Sequence, residues 1–427
     1  METLGGVKRI YFTAEFLTWF AVGLVLPVSV LLLQSRGLDL FEIGLLMGLY
    51  SLTIVLLELP TGGLADTIGR KPVTLLSYLF ALGSSLAFLV SFSMPLFLLS
   101  FVLLGISRAL ASGALGAWFV DRLLEIDEEI DLQPHLAHAN VFVIAGLSLG
   151  SLAGGWVPRL FSHLPTDGAA VFTPLSMTLV FSIIVKVAGI VLVGLWIRER
   201  RTAPTERGAL AGIPKLLKTA LVESRGNPVI PLLLTASLMG ALALMSVETF
   251  WQPRFAGWLG TANTPLFGLL MTGAFAVGIV GNLASIPLSK RLKGRHGLVA
   301  ALAQGVGGAA VVLLALQTNA APAAALFWLF YLMGGALGSP VAVLFNREVP
   351  SERRSSMQSV MSLAAYGGSF LGSAVLGYLA KTSGIGTVWF VSGTILSGSA
   401  ALYLLVDLRS RSGRLLNTTV DPTLSHG

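Results

Sequence analysis

The sequence lacks cysteine and carries few charged residues. Without cysteine, disulfide bonds and thiolate metal sites are excluded. Only 11% of the 427 residues are charged, whereas 54% are hydrophobic. Soluble domains carry about a quarter charged residues, so this chain has less than half of the usual material for a water-facing surface. The composition therefore predicts an integral membrane protein.

Long apolar runs recur along the whole chain. A helix needs ~20 apolar residues to cross a bilayer, and open strands leave backbone groups unsatisfied in lipid. We therefore predict an all-α integral membrane protein with twelve transmembrane helices in two pseudo-symmetric six-helix bundles. The predicted spans are 10–33, 42–65, 72–92, 95–120, 138–160, 174–197, 229–252, 265–288, 298–317, 322–345, 356–380 and 386–407.

The net charge of +7 comes from basic residues that cluster in alternate loops and at the termini. These loops and termini hold 22 of the 28 basic residues, and the opposite loops hold four. Because Lys and Arg accumulate on the cytoplasmic side, both termini are predicted to be cytoplasmic, in a cell membrane (inner or plasma). The basic excess is thus a topology signal, and no nucleic acid partner is expected.

The longest cytoplasmic connection divides the chain into two halves. The predicted domains are a six-helix bundle at 1–197, a linker at 198–228, a second bundle at 229–408 and a tail at 409–427. The linker sequence GIPKLLKTALVES fits an amphipathic helix on the membrane surface, held by lysines near anionic lipid. A solvated linker is the alternative.

Short matches between the halves indicate an internal repeat. GALG occurs at 113–116 and at 335–338, and LGS occurs at 149–151 and at 371–373, both 222 residues apart. GRK at 69–71 is echoed by GRH at 294–296. Two parallel repeats are a transporter architecture in which the substrate binds near the bilayer midplane between the repeats. We therefore predict a duplicated six-helix unit.

The loop after the second span has a distinctive pattern, ELPTGGLADTIGRKPV at residues 58–73. It resembles the loop signature of the major facilitator superfamily, and its position between spans two and three also agrees. The resemblance implies a conformational latch that locks the cytoplasmic side in the outward-open state; a solvated surface turn is the alternative. We call its residues the loop cluster: Gly62, Asp66, Gly69, Arg70, Lys71 and Asp121.

The loop cluster has a physical interpretation and one asymmetry. A carboxylate such as Asp66 favours the positive N-terminal end of a helix, and Arg70 can pair with Asp121 at the end of span four. In the second copy Arg291 occupies the place of Asp66, so the predicted latch is asymmetric. Asp66→Asn is expected to cripple transport while substrate binding survives.

Two further patterns resemble motifs of the same superfamily. Arg108 precedes a run of small residues in span four. Span five contains the glycine spacing of the drug–proton antiporters, which favours export, although Ser151 stands where that motif has proline. Close helix packing by glycine is the alternative interpretation. The glycines of the motif are Gly146, Gly150, Gly154 and Gly155.

Four ionisable residues lie within the predicted spans of the first half. Such groups cost ~2.5–3.5 kcal/mol on insertion scales and are functional candidates. Glu15 and Glu58 are candidate proton carriers, with Arg108 as their electrostatic partner, and Lys186 lies near the centre of span six. Because two negative and two positive charges can balance, a structural ion-pair network is the alternative.

The second half contributes Glu248 in span seven, a lone carboxylate that is a candidate for proton coupling or for attraction of a cationic substrate. A solvated carboxylate near the outer end of the span is the alternative. Met and aromatic side chains form adaptable apolar walls, although such residues more often serve packing. The cavity candidates are Trp19, Met245, Trp251, Phe275 and Asn282.

The sequence offers no catalytic or cofactor motif. It contains no P-loop, no nucleophile elbow and no Rossmann glycine pattern, so neither an enzyme nor a cofactor is predicted. His135 and His138 are interpreted as parts of a solvated loop, and no metal site is expected.

Together these patterns predict a secondary transporter that works by alternating access, most like the drug–proton antiporters. The expected activity is proton-coupled export of a hydrophobic or amphipathic small molecule. Uptake of a small metabolite and a non-transporting membrane sensor are the alternatives. The expected partners are the small-molecule substrate, protons and membrane lipid, and the resemblance implies a monomer.

Overall fold

A computed structural model describes residues 3–62, 64–166, 169–199, 222, 225–350 and 353–420. Over these ranges the secondary structure is entirely helical. The helices are α1 Leu4–Val25, α2 Ser29–Ser35, α3 Leu40–Gly62, α4 Leu64–Ile68, α5 Arg70–Leu89, α6 Met94–Ala111, α7 Ala114–Ile126, α8 Leu132–Leu160, α9 Met177–Trp196, α10 Val229–Leu259, α11 Thr264–Arg291, α12 His296–Ala315, α13 Ala320–Glu348 and α14 Arg354–Val420.

The number of membrane passes follows from the length and apolarity of the helices and from two breaks within them. Among the described residues, ten helices can cross a membrane, and α1 with α2, bent by 41°, provides an eleventh candidate. The last candidate, Met357–Ser410, has 54 residues, more than twice the length of one span. Gly384, with φ 84° and ψ 163°, interrupts it. Division at this glycine gives the predicted twelve passes.

Local sequence explains where several helices begin. The Thr3 side chain accepts a hydrogen bond from the backbone N–H of Gly6 at the start of α1. The Asp131 side chain likewise accepts from the N–H of Gln133 at the start of α8. Both side chains satisfy an N–H that a helix leaves without an internal partner.

The chain divides into two compact units. Unit 1 comprises Met1–Ile213, Glu248–Phe275 and Ser373–Thr382, and unit 2 comprises Pro214–Val247, Ala276–Gly372 and Ser383–Gly427. The six-plus-six domain boundaries stay a prediction. The linker helix falls almost entirely outside the described residues, as do residues 421–427 of the predicted tail.

Within unit 1, α8 packs closely along α1 through glycines at four-residue intervals. A Cβ added at these glycines would lie 2.6, 2.4 and 2.1 Å from backbone oxygens of α1. A larger residue would therefore force the two helices apart, which is the role that small residues have in membrane helix packing. The contacts pair Gly146 with Phe16, Gly150 with Phe20 and Gly154 with Leu24.

The same crossing recurs within unit 2, where α14 packs along α10. A Cβ added at Gly368 would lie 2.2 Å from the oxygen of Leu238, and one at Gly372 would lie 3.0 Å from that of Leu242. These residues follow Gly146, Phe16, Gly150 and Phe20 by 222 positions, the offset of the LGS repeat. The recurring contact supports the predicted duplication.

Unit 1 also includes segment 248–275, which contacts the break between α1 and α2. The Gln252 side-chain oxygen accepts from the backbone N–H of Val30 at 2.9 Å. Its amide nitrogen donates to the oxygen of Leu26, also at 2.9 Å. One buried side chain thereby satisfies backbone groups on both sides of the bend, as buried polar groups require.

Segment 373–382 contacts the beginning of α3. The Lys381 ammonium lies 2.7 Å from the Asp39 carboxylate. The hydrogen bond from Lys381 holds the pKa of the Asp39 carboxyl below its usual value. Nearby, a Cβ added at Gly44 would lie 2.5 Å from the oxygen of Ser373. These contacts lie on the side that the basic residues predict to be external.

Candidate functional site

The polar face of α1 is built around Glu15. The indole Nε1 of Trp19, one turn further on, donates to the Glu15 carboxylate at 3.0 Å. The Tyr11 hydroxyl, one turn earlier, also hydrogen-bonds to Glu15. Positions four apart share a helix face, so α1 itself supplies two neutral donors to its half-buried carboxylate.

Arg108 of α6 lies against this face. Its guanidinium carbon is 5.5 Å from the centre of the Trp19 ring, within the range of a cation–π interaction. Arg108 also interacts electrostatically with Glu15. The sequence-predicted partnership between the two residues is therefore present, with Trp19 in contact with both.

A second polar contact joins α1 to α5. The hydroxyls of Thr18 and Tyr78 are 2.6 Å apart, and the Thr18 hydroxyl also lies 2.8 Å from the backbone oxygen of Ala14, to which it donates. Because a threonine hydroxyl has one proton, the Tyr78 hydroxyl is the donor to Thr18.

Lys186 of α9 is the second basic residue in the region. Its ammonium donates to the hydroxyl of Ser85 on α5. A neutral hydroxyl accepts the hydrogen bond without balancing the charge. Lys186 therefore brings a positive charge into the membrane-spanning part of unit 1.

These contacts surround a cavity of about 210 Å³ inside unit 1. Its wall is formed by α1, α3, α5, α6 and α9. Among the described residues, the charged lining residues are Arg108 and Lys186, and carboxylates do not line it. The aromatic and hydroxyl lining residues are Thr18, Trp19, Tyr50, Ser77, Tyr78 and Ser107, and the remainder are aliphatic or glycine.

The loop cluster includes the end of α3 and the beginning of α5, two of the helices that line the cavity. The Arg70 Nε is 3.6 Å from the Asp121 carboxylate, so the predicted pair forms across α5 and α7. The side chain of Asp66 and the exposure of Gly62 lie outside the described part of the structure. The latch function of the cluster stays a prediction.

Glu199, just beyond α9, caps the start of α5. Its carboxylate accepts from the backbone N–H groups of Arg70 and Lys71. A Cβ at Gly69, which has φ 102°, would lie 2.7 Å from a Glu199 oxygen. The Lys71 ammonium in turn donates to the Gly194 oxygen of α9 at 2.7 Å. A carboxylate at a helix N-terminus is stabilising, and here it joins α5 to α9.

Comparison with known families identifies the fold. The family model described as Major Facilitator Superfamily matches residues 11–373. The chain belongs to this superfamily. It is therefore a multi-pass membrane transporter, and the resemblance inferred from the loop between spans two and three is confirmed.

Relatives and solved structures of the superfamily cover nearly the whole chain. The MFS-type transporter YxaM of Bacillus subtilis (strain 168) is 22% identical over 400 residues, 93% of this chain and 95% of YxaM. The class C tetracycline resistance protein of Escherichia coli is 25% identical over 404 residues, 90% and 91% of the two chains. The structure of the nucleoside transporter NupG matches with a TM-score of 0.73 and 14% identity, over 94% and 98%. This structural likeness shows the fold.

Three of the sequence-predicted site residues line the cavity in unit 1, and Glu15 adjoins them. Trp19, Arg108 and Lys186 line it directly. Glu58 is half-buried in α3 and is not among the described lining residues. Its proposed coupling role stays a prediction.

The candidates from the second half of the sequence lie elsewhere among the described residues. Trp251 is only 1% exposed and packs against the rings of Phe255 and Phe267. Asn282 is exposed and accepts from the Ser339 hydroxyl at 2.9 Å. Half-buried candidates, none of them among the lining residues, are Met245, Glu248 and Phe275.

The α8 glycines whose spacing resembles the antiporter motif pack against neighbouring helices in this structure. Gly146, Gly150 and Gly154 contact α1, as described above, whereas Gly155 faces α11. A Cβ added at Gly155 would lie 2.8 Å from the Cα of Gly268. Ser151, at the position of the motif's proline, is fully buried in this close approach.

Several residues of the site were missed by sequence reasoning. Tyr78, Ser85 and Glu199 act through contacts between helices far apart in sequence. Glu199 lies between Arg198 and Arg200, two of the basic residues that were counted toward the predicted topology. Thr18 carried a usable signal because it lies beside Glu15 and Trp19 on α1.

Proposed function

We propose that this transporter exports a hydrophobic or amphipathic small molecule in exchange for protons by alternating access. The observation that carries the proposal is the cavity in unit 1. It is largely apolar and aromatic, with a few convergent polar groups, as ligand cavities are. Glu15 lies at its edge, hydrogen-bonded to the lining residue Trp19.

Glu15 is the best candidate for the proton-carrying group. As a carboxylate it accepts from Tyr11 and Trp19 and interacts electrostatically with Arg108. Protonation removes its negative charge and one of its acceptor oxygens. The position of the Arg108 side chain over Trp19 then loses its electrostatic support. One proton can thereby alter the cavity wall at two residues, which is the coupling that an antiporter requires.

Two observations support export. The glycine spacing of α8 resembles the antiporter motif of the superfamily, and one relative is named a tetracycline resistance protein.

The distribution of basic residues supports cytoplasmic termini in a cell membrane. The resemblance to the superfamily supports a monomer.

Uptake of a small metabolite is the second candidate function. Ser151 favours it, because the antiporter motif has proline at that position. A non-transporting sensor on the same fold is a third candidate, but family membership and the cavity favour transport. The direction of gradient-driven movement separates export from uptake, and movement itself excludes the sensor.

Proteoliposomes with an acidic lumen and an internal pH indicator test the proposal. Addition of transported compound outside should raise the lumenal pH, because protons leave as the compound enters. Glu15→Gln should abolish this response, and Glu58→Gln and Glu248→Gln test the other two carboxylates. Glu128→Gln, an exposed carboxylate in the loop before α8, is the matched control and should behave as wild type.

Two outcomes of this experiment would contradict the proposal. If a chemically diverse panel of amphipathic compounds produces no gradient-dependent movement in wild type, exchange with protons is wrong. A lumenal pH that falls on addition would instead indicate symport, and therefore the uptake candidate.

A further inference from the structure

The cavity in unit 1 has an uneven charge distribution. Arg108 and Lys186 both line it, from α6 and α9 respectively. Glu15, the carboxylate that interacts with Arg108, hydrogen-bonds to Tyr11 and Trp19 of its own helix. Lys186 has the neutral hydroxyl of Ser85 as its hydrogen-bond acceptor. The described wall thus presents two cations to a bound molecule, and the Glu15 carboxylate adjoins the lining residue Trp19.

We propose that this cavity binds an amphipathic monoanion, a carboxylate or sulfonate on a small aromatic or aliphatic body. The statement that the anion is also carried across the membrane rests on the proposed function. Binding itself follows from the charges and the shape of the cavity.

Each part of the wall matches one part of such a molecule. The Lys186 ammonium has three donors, of which Ser85 uses one. The remaining donors can serve an anionic group, and hydrogen bonds to charged groups are stronger than neutral ones. Trp19, Tyr50 and Tyr78, which also line the cavity, offer ring surfaces to an apolar body.

The membrane environment strengthens the argument. A charge within a transmembrane segment is costly unless an opposite charge accompanies it. A bound anion supplies that opposite charge to Lys186. A cation would instead meet two like charges, which is a strong source of discrimination. The geometry therefore favours the anion over a cation of equal size.

The cavity volume limits the size of the bound group. The volume of the cavity is about 210 Å³. Pockets for whole drug-sized ligands are about 300–1,000 Å³. The cavity therefore accepts a single ring with its anionic group, or that end of a larger molecule.

Matched probes test the charge preference in equilibrium binding. Full-length protein in nanodiscs would be titrated with benzenesulfonate, with the neutral benzenesulfonamide, and with the cationic phenyltrimethylammonium. All three carry one phenyl ring and differ mainly in charge. We expect benzenesulfonate to bind at least about tenfold more tightly than either other probe, an effect typical of a charge-assisted hydrogen bond.

Variants connect the preference to the cavity. Lys186→Gln and Lys186→Met should weaken benzenesulfonate binding at least about tenfold, whereas Lys186→Arg should retain the preference for the anion. Arg159→Gln removes an exposed cation at the end of α8, away from the cavity lining. It should leave all three affinities unchanged.

The outcomes also separate this inference from the proposed function. Equal binding of the three probes, tighter binding of the cation, or an equal loss in Arg159→Gln would overturn the inference. Absence of binding of every probe up to its solubility limit would do the same. If benzenesulfonate binds as expected but no compound moves under a pH gradient, the anion site stands and proton-coupled transport fails.

Discussion

The two halves of this transporter share a scaffold but differ in the chemistry within their spans. Glycines of α8 pack on α1 as glycines of α14 pack on α10, at an offset of 222 residues. The first half places Glu15, Arg108 and Lys186 around one cavity. The corresponding candidate of the second half is the single carboxylate Glu248.

The difference indicates which features the predicted duplication preserves. Close helix crossings need small residues wherever backbones meet, so both copies retain them. A charged group in a span is costly, so it persists where a function requires it. The first half is therefore the better place to look for substrate binding and coupling, and the second half serves as an internal control for packing.

The largest effect is expected from substitutions that disrupt the close helix packing in both halves. Gly154→Leu and Gly368→Leu should each destabilise the protein by about 3 kcal/mol or more. The leucine side chain would overpack a helix crossing at which the two backbones are already in contact. A Cβ at these positions would already lie 2.1 and 2.2 Å from a backbone oxygen. Thermal unfolding in detergent and size-exclusion chromatography measure the loss.

A neighbouring glycine is the control for this comparison. A Cβ at Gly367 meets nothing within 4 Å, so Gly367→Ala should be neutral or stabilising by up to about 1 kcal/mol. If Gly368→Leu is tolerated as well as Gly367→Ala, the shared-scaffold interpretation is wrong.

A smaller effect distinguishes the two loops between the second and third helices of each half. Arg295 donates to Asp407 through two nitrogens, at 2.8 and 3.0 Å, and Asp407 is 5% exposed. Asp407→Asn should cost about 2 kcal/mol, reduced from the range for fully buried pairs because Arg295 is partly exposed. Unfolding temperature measures this cost.

The first-half pair should behave differently. Asp121 is 56% exposed and lies 3.6 Å from Arg70, so Asp121→Asn should cost less than about 1 kcal/mol. Because Asp121 belongs to the loop cluster, Asp121→Asn should slow transport while stability is retained. Equal destabilisation by Asp121→Asn and Asp407→Asn, with unchanged transport, would remove the distinction between latch and structural pair.

The smallest expected effect concerns the exposed pair of Asp39 and Lys381, 2.7 Å apart. Because Lys381 lowers the pKa of Asp39, the pair stabilises the fold above the ordinary carboxyl pKa. That contribution is lost as the pH falls through the lowered pKa. Lys381→Gln should therefore lower the unfolding temperature slightly at pH 7 and have no effect at strongly acidic pH.

Salt provides an independent check of this pair. The difference between wild type and Lys381→Gln at pH 7 should shrink at high ionic strength, because exposed charges are screened. A difference that is independent of both pH and salt would mean that Lys381 acts through packing instead.

The sequence predicted those parts of the fold that depend on hydrophobic runs. Spans end where charged residues begin, and the break at Gly384 falls between the last two predicted spans, 356–380 and 386–407. Neighbours on one helix were also predictable, as with Glu15 and Trp19 on α1. The pairing of Arg70 with Asp121, at the end of span four, was predicted from the charges of the two residues.

Contacts between distant helices could not be predicted in the same way. The rotation of α9 that brings Lys186 to Ser85 depends on how several apolar faces pack together. In a helix surrounded by lipid and protein, nearly every position is apolar, so periodicity does not mark the buried face. For the same reason the sequence did not show that Trp251, a cavity candidate, packs among other aromatic rings.

The most direct test of the account separates coupling from translocation in Glu15→Gln. Wild type and variant would be reconstituted side by side and assayed for substrate exchange without a gradient and for pH-gradient-driven accumulation. The account predicts that Glu15→Gln retains exchange and loses gradient-driven accumulation, because the cavity remains while its proton carrier is gone. Retention of both activities by Glu15→Gln would contradict it.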